Sequence, residues 1–171
     1  AEYCQNGTLN KIIELERNSL SPPSWDDTKK LINLYGIASA MSFLHENDYI
    51  HRDLKPANIF EDEFLFPRIG DFGLGKHISN GGHSTDSLFG FKGTLLYSPP
   101  ETIDNYRHYS KAGDVYAFGM IAYQLITNLS PFEECGNLAI IKKILNGERP
   151  GFPFPIPKCY ENLINKCWSQ N

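Results

Sequence analysis

Basic residues are few and scattered. Sixteen Lys and Arg stand against twenty Asp and Glu, for a net charge of -4, and no basic run is longer than Lys29-Lys30 or Lys142-Lys143. That pattern gives no electrostatic footprint for nucleic acid or for an anionic membrane, and both partners are disfavoured. Cysteine is sparse too: Cys4, Cys135, Cys159 and Cys167 form no Cys-x-x-Cys and none has a His at finger spacing. Reduced, partly buried thiols are the reading that remains. No apolar run is long enough to cross a bilayer, which takes about 20 apolar residues. The longest, Val115 to Ile126, is interrupted by Gly119 and Gln124 and reads as a buried core helix. There is no initiator Met, basic leader or small-residue cleavage site, so the opening Ala1-Glu2-Tyr3 reads as a cut from a longer protein. Asn6-Gly7-Thr8 and Asn128-Leu129-Ser130 match the glycosylation pattern, which is common and carries no weight in a cytosolic protein.

What is present is ample for one globular domain: 171 residues, 41% of them hydrophobic. Thr8 can cap a first helix carrying Leu9, Ile12, Ile13 and Leu15, ended by Ser21-Pro22-Pro23-Ser24. A longer helix is predicted from about Asp26, with Leu31, Leu34, Tyr35, Ala38, Met41 and Leu44 or His45 at three- and four-residue spacing. His45 is read as a helix-end or surface residue without chemistry. Ile59-Phe60 and Phe64 to Ile69 read as short strands, with Glu61-Asp62-Glu63 as a solvated hairpin tip. From Leu74 to Tyr97 the chain is polar and Gly-rich, and is expected to be mobile. Beyond the apolar helix lie an amphipathic helix from Asn137 to Asn146 stopped by Gly147, a proline-rich connector from Pro150 to Pro157, and a last helix reaching Cys167-Trp168.

The chemistry concentrates in Tyr49 to Phe60, which reads Tyr-Ile-His-Arg-Asp-Leu-Lys-Pro-Ala-Asn-Ile-Phe, and in Asp71-Phe72-Gly73. Asp53 and Asn58 are too close in sequence to serve separate sites, and a turn can return the Asp71 carboxylate beside them. Two acids and an amide can hold a hard cation and leave one carboxylate free. Oxygen ligands suit Mg2+, which takes one or two protein carboxylates and leaves its other positions to water and phosphate. This is a phosphoryl-transfer site in outline.

His51, Arg52, Asp53, Leu54 and Asn58 fill the pattern His-Arg-Asp-Leu-x-x-x-Asn, and Asp71-Phe72-Gly73 follows in the right order. On these residues the chain resembles the protein kinase family. The resemblance implies a mainly α fold: a kinase C-terminal lobe, α+β in class, with small β-hairpins at the catalytic loop and the N-terminal β lobe absent. It implies a partial kinase domain over 1–171, with the catalytic loop at 49–60 and the activation segment at 71–101. ATP and Mg2+ are the implied cofactors, and Ser or Thr hydroxyls of a protein the implied substrate. Asp53 would be the base, Asn58 and Asp71 the metal ligands, and Lys55 the charge on the transferring phosphoryl group. Lys55 is typical of serine/threonine kinases, whereas tyrosine kinases usually carry Ala and Arg in that loop; Cys167-Trp168 resembles the tyrosine-kinase-like group. Thr94 would touch the catalytic Asp and Lys and fit the loop to a small hydroxyl. Arg52 would hold a phosphorylated activation segment, with Ser84, Thr85 and Ser87 as exposed acceptors. The opening segment resembles the hinge that holds adenine through Glu2 and Cys4, and Phe60 stands at the floor of the adenine site, where Leu is commoner.

The sequence also departs from the family. It has no Gly-x-Gly-x-x-Gly-x-Val loop and no Val-Ala-Ile-Lys lysine before the hinge. Ala139-Ile140-Ile141-Lys142 mimics the latter but follows the activation segment with helical spacing. Pro99 stands where Ala or Ser is commoner. The terminal Arg that usually partners the glutamate placed at Glu101 is not reached. The expectation is therefore a parent enzyme that is active and a fragment that is not, cytoplasmic or on the cytoplasmic side of a membrane receptor. The competing readings are a pseudokinase or substrate-docking scaffold, which intact Asp53, Asn58 and Asp71 argue against, and a small-molecule phosphotransferase. An activation segment ending in Gly93-Thr94 and Pro100-Glu101 disfavours the second.

Overall fold

Thr8 accepts a hydrogen bond from the Lys11 amide and starts α1, Leu9–Arg17, which buries Leu9, Ile12 and Ile13. Asp26 caps α2, Asp27–Glu46, in the same way through the Lys29 amide. Such caps satisfy amides that the first turn leaves without helical partners. The structure is a computed structural model and describes residues 4–77, 95–104 and 109–169. After α2 come β1 (Tyr49–Ile50), β2 (Ile59–Glu61), β3 (Pro67–Ile69) and β4 (Lys76–His77). Four more helices follow: α3 (Pro100–Asp104), α4 (Lys111–Thr127), α5 (Asn137–Leu145) and α6 (Lys158–Cys167). The strands form two small antiparallel pairs, β1 with β4 and β2 with β3, so the described architecture is mainly α as expected.

The apolar run from Val115 to Ile126 lies within α4, the central pillar of the core. Met120, Ile121 and Ala122 are fully buried, and Tyr116, Tyr123 and Leu125 nearly so; only Val115 reaches solvent to a large extent. Helix α6 closes on it at Gly119, where a β-carbon would lie 2.7 Å from Cys167 Cβ. Fully buried Ile164 joins this contact. Burial in this apolar setting pushes the Cys167 thiol up in pKa. The predicted connector packs Phe152 into a cluster with Tyr123 and Trp168, ring centroids 5.7 to 6.2 Å apart. Gly147, at φ +80°, follows α5 as the expected left-handed stop. All four cysteines are free.

Two expectations are corrected. In α2, Leu31 and Tyr35 point outward, 50% and 75% exposed. The inward face is Lys30, Asn33, Leu34, Ile37 and Met41. Polar residues enter because they are partnered: Lys30 pairs with Glu16, which also accepts from Trp25 Nε1 at 2.9 Å. Asn33 donates to the carbonyls of Lys29 (3.2 Å) and Leu65 (3.1 Å).

The acidic run is a solvated tip only in part: Glu63 is exposed in the turn, but Glu61 is fully buried. Asp62 builds the turn by accepting the Phe64 and Phe66 amides, at 3.0 and 2.9 Å. Burial acts to raise the Asp62 pKa, but those two amides and Arg68 outweigh it and hold the carboxyl below its usual range. Glu61 goes the other way: desolvation pushes its pKa up to about 8, with Asp62 adding to the rise and Asn33 and Lys29 opposing it. Alternation explains the error, because Ile59 and Glu61 share the inward face of β2 while Phe60 faces the other side.

Candidate active site

The loop from His51 to Asn58 is held from behind by a residue distant in sequence. Asp114, in the first turn of α4 and 3% exposed, accepts the His51 amide at 2.9 Å and the Arg52 amide at 3.0 Å. His45 Nε2 lies 2.9 Å from the same carboxylate. This grip fixes Arg52 in the left-handed region, at φ +71°, which costs a non-glycine residue about 1–3 kcal/mol. Leu54, 2% exposed, pins the next step of the loop into the core, and Pro56–Asn58 closes it with a 3-10 turn.

Within that frame Asp53 is 7% exposed, and its Oδ2 accepts from Lys55 Nζ at 2.6 Å and from Asn58 Nδ2 at 2.8 Å. Asn58 Nδ2 also donates to the Asp53 carbonyl at 2.8 Å. With its NH2 group engaged on Asp53, the amide of Asn58 has its orientation set and its oxygen left as the ligand end. His51 Nδ1 accepts the Asp53 amide at 3.4 Å, which puts the ring proton on Nε2, 3.1 Å from the Gly70 carbonyl that receives it.

The turn expected to bring Asp71 back is the β2–β3 hairpin. Ile59 pairs with Ile69, and the Gly70 amide donates to the Asn58 carbonyl at 2.9 Å, so Asp71 follows directly on the residue tied to Asn58. Asp71 is exposed and left-handed, at φ +57°. Phe72 stands edge-on to Tyr49 at 6.0 Å and 5.3 Å from the His51 ring, and its carbonyl accepts the Tyr49 hydroxyl at 3.3 Å.

The loop therefore brings together Asp53, Lys55 and Asn58, and the hairpin, which carries Phe60 on β2, sets Asp71 one residue beyond the bond between Gly70 and Asn58. Arg52 lies with its guanidinium 4.0 Å over the Tyr109 ring. Cys4 is half-buried at the chain's opening turn, where its carbonyl accepts the Gly7 amide at 3.2 Å. Glu2, Ser84, Thr85, Ser87 and Thr94 lie outside the described residues. Sequence reasoning missed His45, Tyr109 and Asp114 as supports of the loop. For Asp114 a signal was available: an acid in the first turn of an otherwise apolar helix, beneath a Ser110 cap.

A cation would find hard oxygen ligands here, the Asn58 amide oxygen and the exposed Asp71 carboxylate. Among the described residues no three His, Cys, Asp or Glu side chains converge as a metal cage. Such a donor set fits Mg2+, which retains water and substrate phosphates in its remaining positions.

Fold and site together define a protein kinase domain. The family model described as protein kinase domain matches residues 1–171, and the chain belongs to that family. It is 34% identical over 169 residues to the RGS domain-containing serine/threonine-protein kinase A of Dictyostelium discoideum, covering 99% of this chain and 14% of that protein. To receptor-interacting serine/threonine-protein kinase 4 it is 36% identical over 179 residues in Mus musculus and 37% over 180 in Homo sapiens. Those alignments cover 98% of this chain and 22% and 20% of the relatives. The chain thus spans less than a quarter of the length of these relatives.

Proposed function

We propose that the protein carrying this domain is a serine/threonine protein kinase that transfers the γ-phosphoryl group of ATP to Ser or Thr hydroxyls of protein substrates. The observation that carries the reading is the double hold on Asp53 Oδ2 by Lys55 (2.6 Å) and Asn58 (2.8 Å) in a nearly buried loop. In phosphoryl transfer the protein contributes mainly positioning and charge neutralisation, and a carboxylate fixed from two sides is suited to receive a hydroxyl proton. Lys55, already at the carboxylate, would bring positive charge to the transferring group. Asn58 and Asp71 would hold Mg2+, which when bound with ATP supplies charge neutralisation on the phosphates.

Lys55 and the named relatives support Ser/Thr over Tyr as acceptor. The same reading assigns 49–60 as catalytic loop, 71–101 as activation segment, Glu2, Cys4 and Phe60 to adenine, Thr94 to the hydroxyl acceptor, and Arg52 to a phosphorylated Ser84, Thr85 or Ser87. The 171 residues alone are proposed to transfer little phosphate, and the location to be the cytoplasm or the cytoplasmic face of a receptor. The decisive test is transfer from Mg-ATP to a generic protein substrate by the full-length protein beside Asp53→Asn, with identification of the phosphorylated amino acid. Phosphoserine or phosphothreonine that falls about 10²- to 10⁴-fold in the variant is expected. No transfer by the folded, full-length protein would move the assignment to a pseudokinase or docking scaffold.

A further inference from the structure

Gly70 is tied on both backbone sides to the catalytic loop. Its amide donates to the Asn58 carbonyl at 2.9 Å, and its carbonyl stands 3.1 Å from His51 Nε2. On its third side lies the ring of Phe60: a β-carbon at residue 70 would fall 2.6 Å from Phe60 Cε2 and 2.9 Å from Cδ2. Such approaches are closer than folded proteins tolerate, so one of the two residues would have to move. The backbone is held at both, so relief falls to the half-buried Phe60 ring, which must turn about its side-chain torsions. Phe60 is paired with Arg68 along β3 and bridged to Thr8 on its other edge, so its backbone is held from both sides. Gly70 cannot retreat without lengthening the bonds to Asn58 and His51.

We infer that Phe60 and Gly70 act as one positioning unit, in which the ring serving as floor for the nucleotide base rests on the α-carbon just before the metal-holding Asp71. The inference rests on the kinase reading for the roles of base floor and metal ligand. The packing it invokes is independent of that reading. Its consequence is a coupling between base and metal ends of the nucleotide site: a change of shape at residue 60 is felt at Asp71, and a side chain at residue 70 is felt under the base. Neither residue touches the reacting atoms, so both are positioning residues.

The test is a double-substitution cycle in the full-length protein with Gly70→Ala, Phe60→Leu and the two combined. Leucine ends at its δ-carbons: it removes the Cε2 contact at 2.6 Å and, with the flat ring gone, its δ-carbons can turn away from the place of the 2.9 Å contact. Each protein is melted with and without Mg-ATP, and kcat and KM for ATP are measured at several Mg2+ concentrations. Gly70→Ala is expected to lower the melting temperature, shrink the shift that Mg-ATP produces, lower kcat tenfold or more and raise the Mg2+ needed for half-maximal rate. Phe60→Leu is expected to act mainly on KM for ATP, by several-fold. The combined variant should regain most of the melting temperature and bring kcat to within about threefold of Phe60→Leu alone. A combined variant no better than Gly70→Ala in either measurement overturns the unit. So does a cycle coupled in melting but with kcat and Mg2+ dependence of Gly70→Ala unchanged, which would leave packing without positioning. Absence of transfer in the parent would instead sink the kinase assignment, while the melting cycle still decides whether the two residues are coupled.

Discussion

Replacing Glu61 with glutamine should make the domain more stable, and more so as the pH rises. The carboxyl is fully buried, and neither of its oxygens has a hydrogen-bond partner among the described residues. Nearby Asn33 has little to give it, because its NH2 group already serves two backbone carbonyls and its own Oδ1 is also unpartnered. Desolvation therefore raises the folded-state pKa to about 8 from an ordinary 4.5. The folded chain keeps this proton between those values while the unfolded chain gives it up. The unfolded state then binds fewer protons, and stability falls as pH climbs through that window and levels off above it.

Each pH unit in the window is worth about 1.4 kcal/mol, so the loss between pH 5 and pH 8 is about 3–4 kcal/mol, an upper figure if water reaches the site. Glutamine is nearly isosteric, cannot ionise, and can offer an N–H to Asn33 Oδ1. Glu61→Gln should be within about 1 kcal/mol of the parent at pH 5 and ahead of it by about 3–4 kcal/mol at pH 8. At about 2–4 °C per kcal/mol, melting curves at pH 5, 6.5 and 8 should fan out by about 6–16 °C. Parallel curves across the three pH values would refute the reasoning.

Three further variants test the packing. Asp114→Ala strands the amides of His51 and Arg52, at about 1–3 kcal/mol each, and should destabilise the domain by about 2–6 kcal/mol in denaturant titration. On the proposed kinase function, the same substitution in the full-length protein should lower phosphate transfer under conditions where it remains folded, because the loop that holds Asp53 is freed. Gly119→Ala pushes a methyl group against Cys167 Cβ from 2.7 Å and should cost about 1–3 kcal/mol. Ile164→Ala empties the centre of the α4–α6 contact and should cost about 2–5 kcal/mol, read as an earlier urea midpoint with an unchanged slope.

The helices and the Asp53–Asn58 contact were legible in the sequence for different reasons. Thr8 and Asp26 announced their helices because a cap is a local event, and α4 announced itself because a helix buried all round must be apolar all round. That Asp53 and Asn58 would meet was legible because they lie five residues apart in one short loop, and Asn58 Nδ2 donates to Asp53 Oδ2 at 2.8 Å. What could not be read was set by contacts distant along the chain. Glu61 resembled solvent-facing acids because nothing local says which face of β2 is covered. Leu31 and Tyr35 looked like core because periodicity cannot foresee that Lys30 and Asn33 have partners inside. His45 looked idle because its partner, Asp114, lies 69 residues away.

The hold of Asp114 on His51 and Arg52 bridges 63 and 62 residues of chain. Its acid sits on the central helix, so the amides of His51 and Arg52 gain this carboxylate only once that helix has docked. A partly assembled chain can hold its early helices and still carry a slack catalytic loop. The order of the loop then becomes a property of the finished core, and the Asp53 carboxylate takes its set position only with α4 in place.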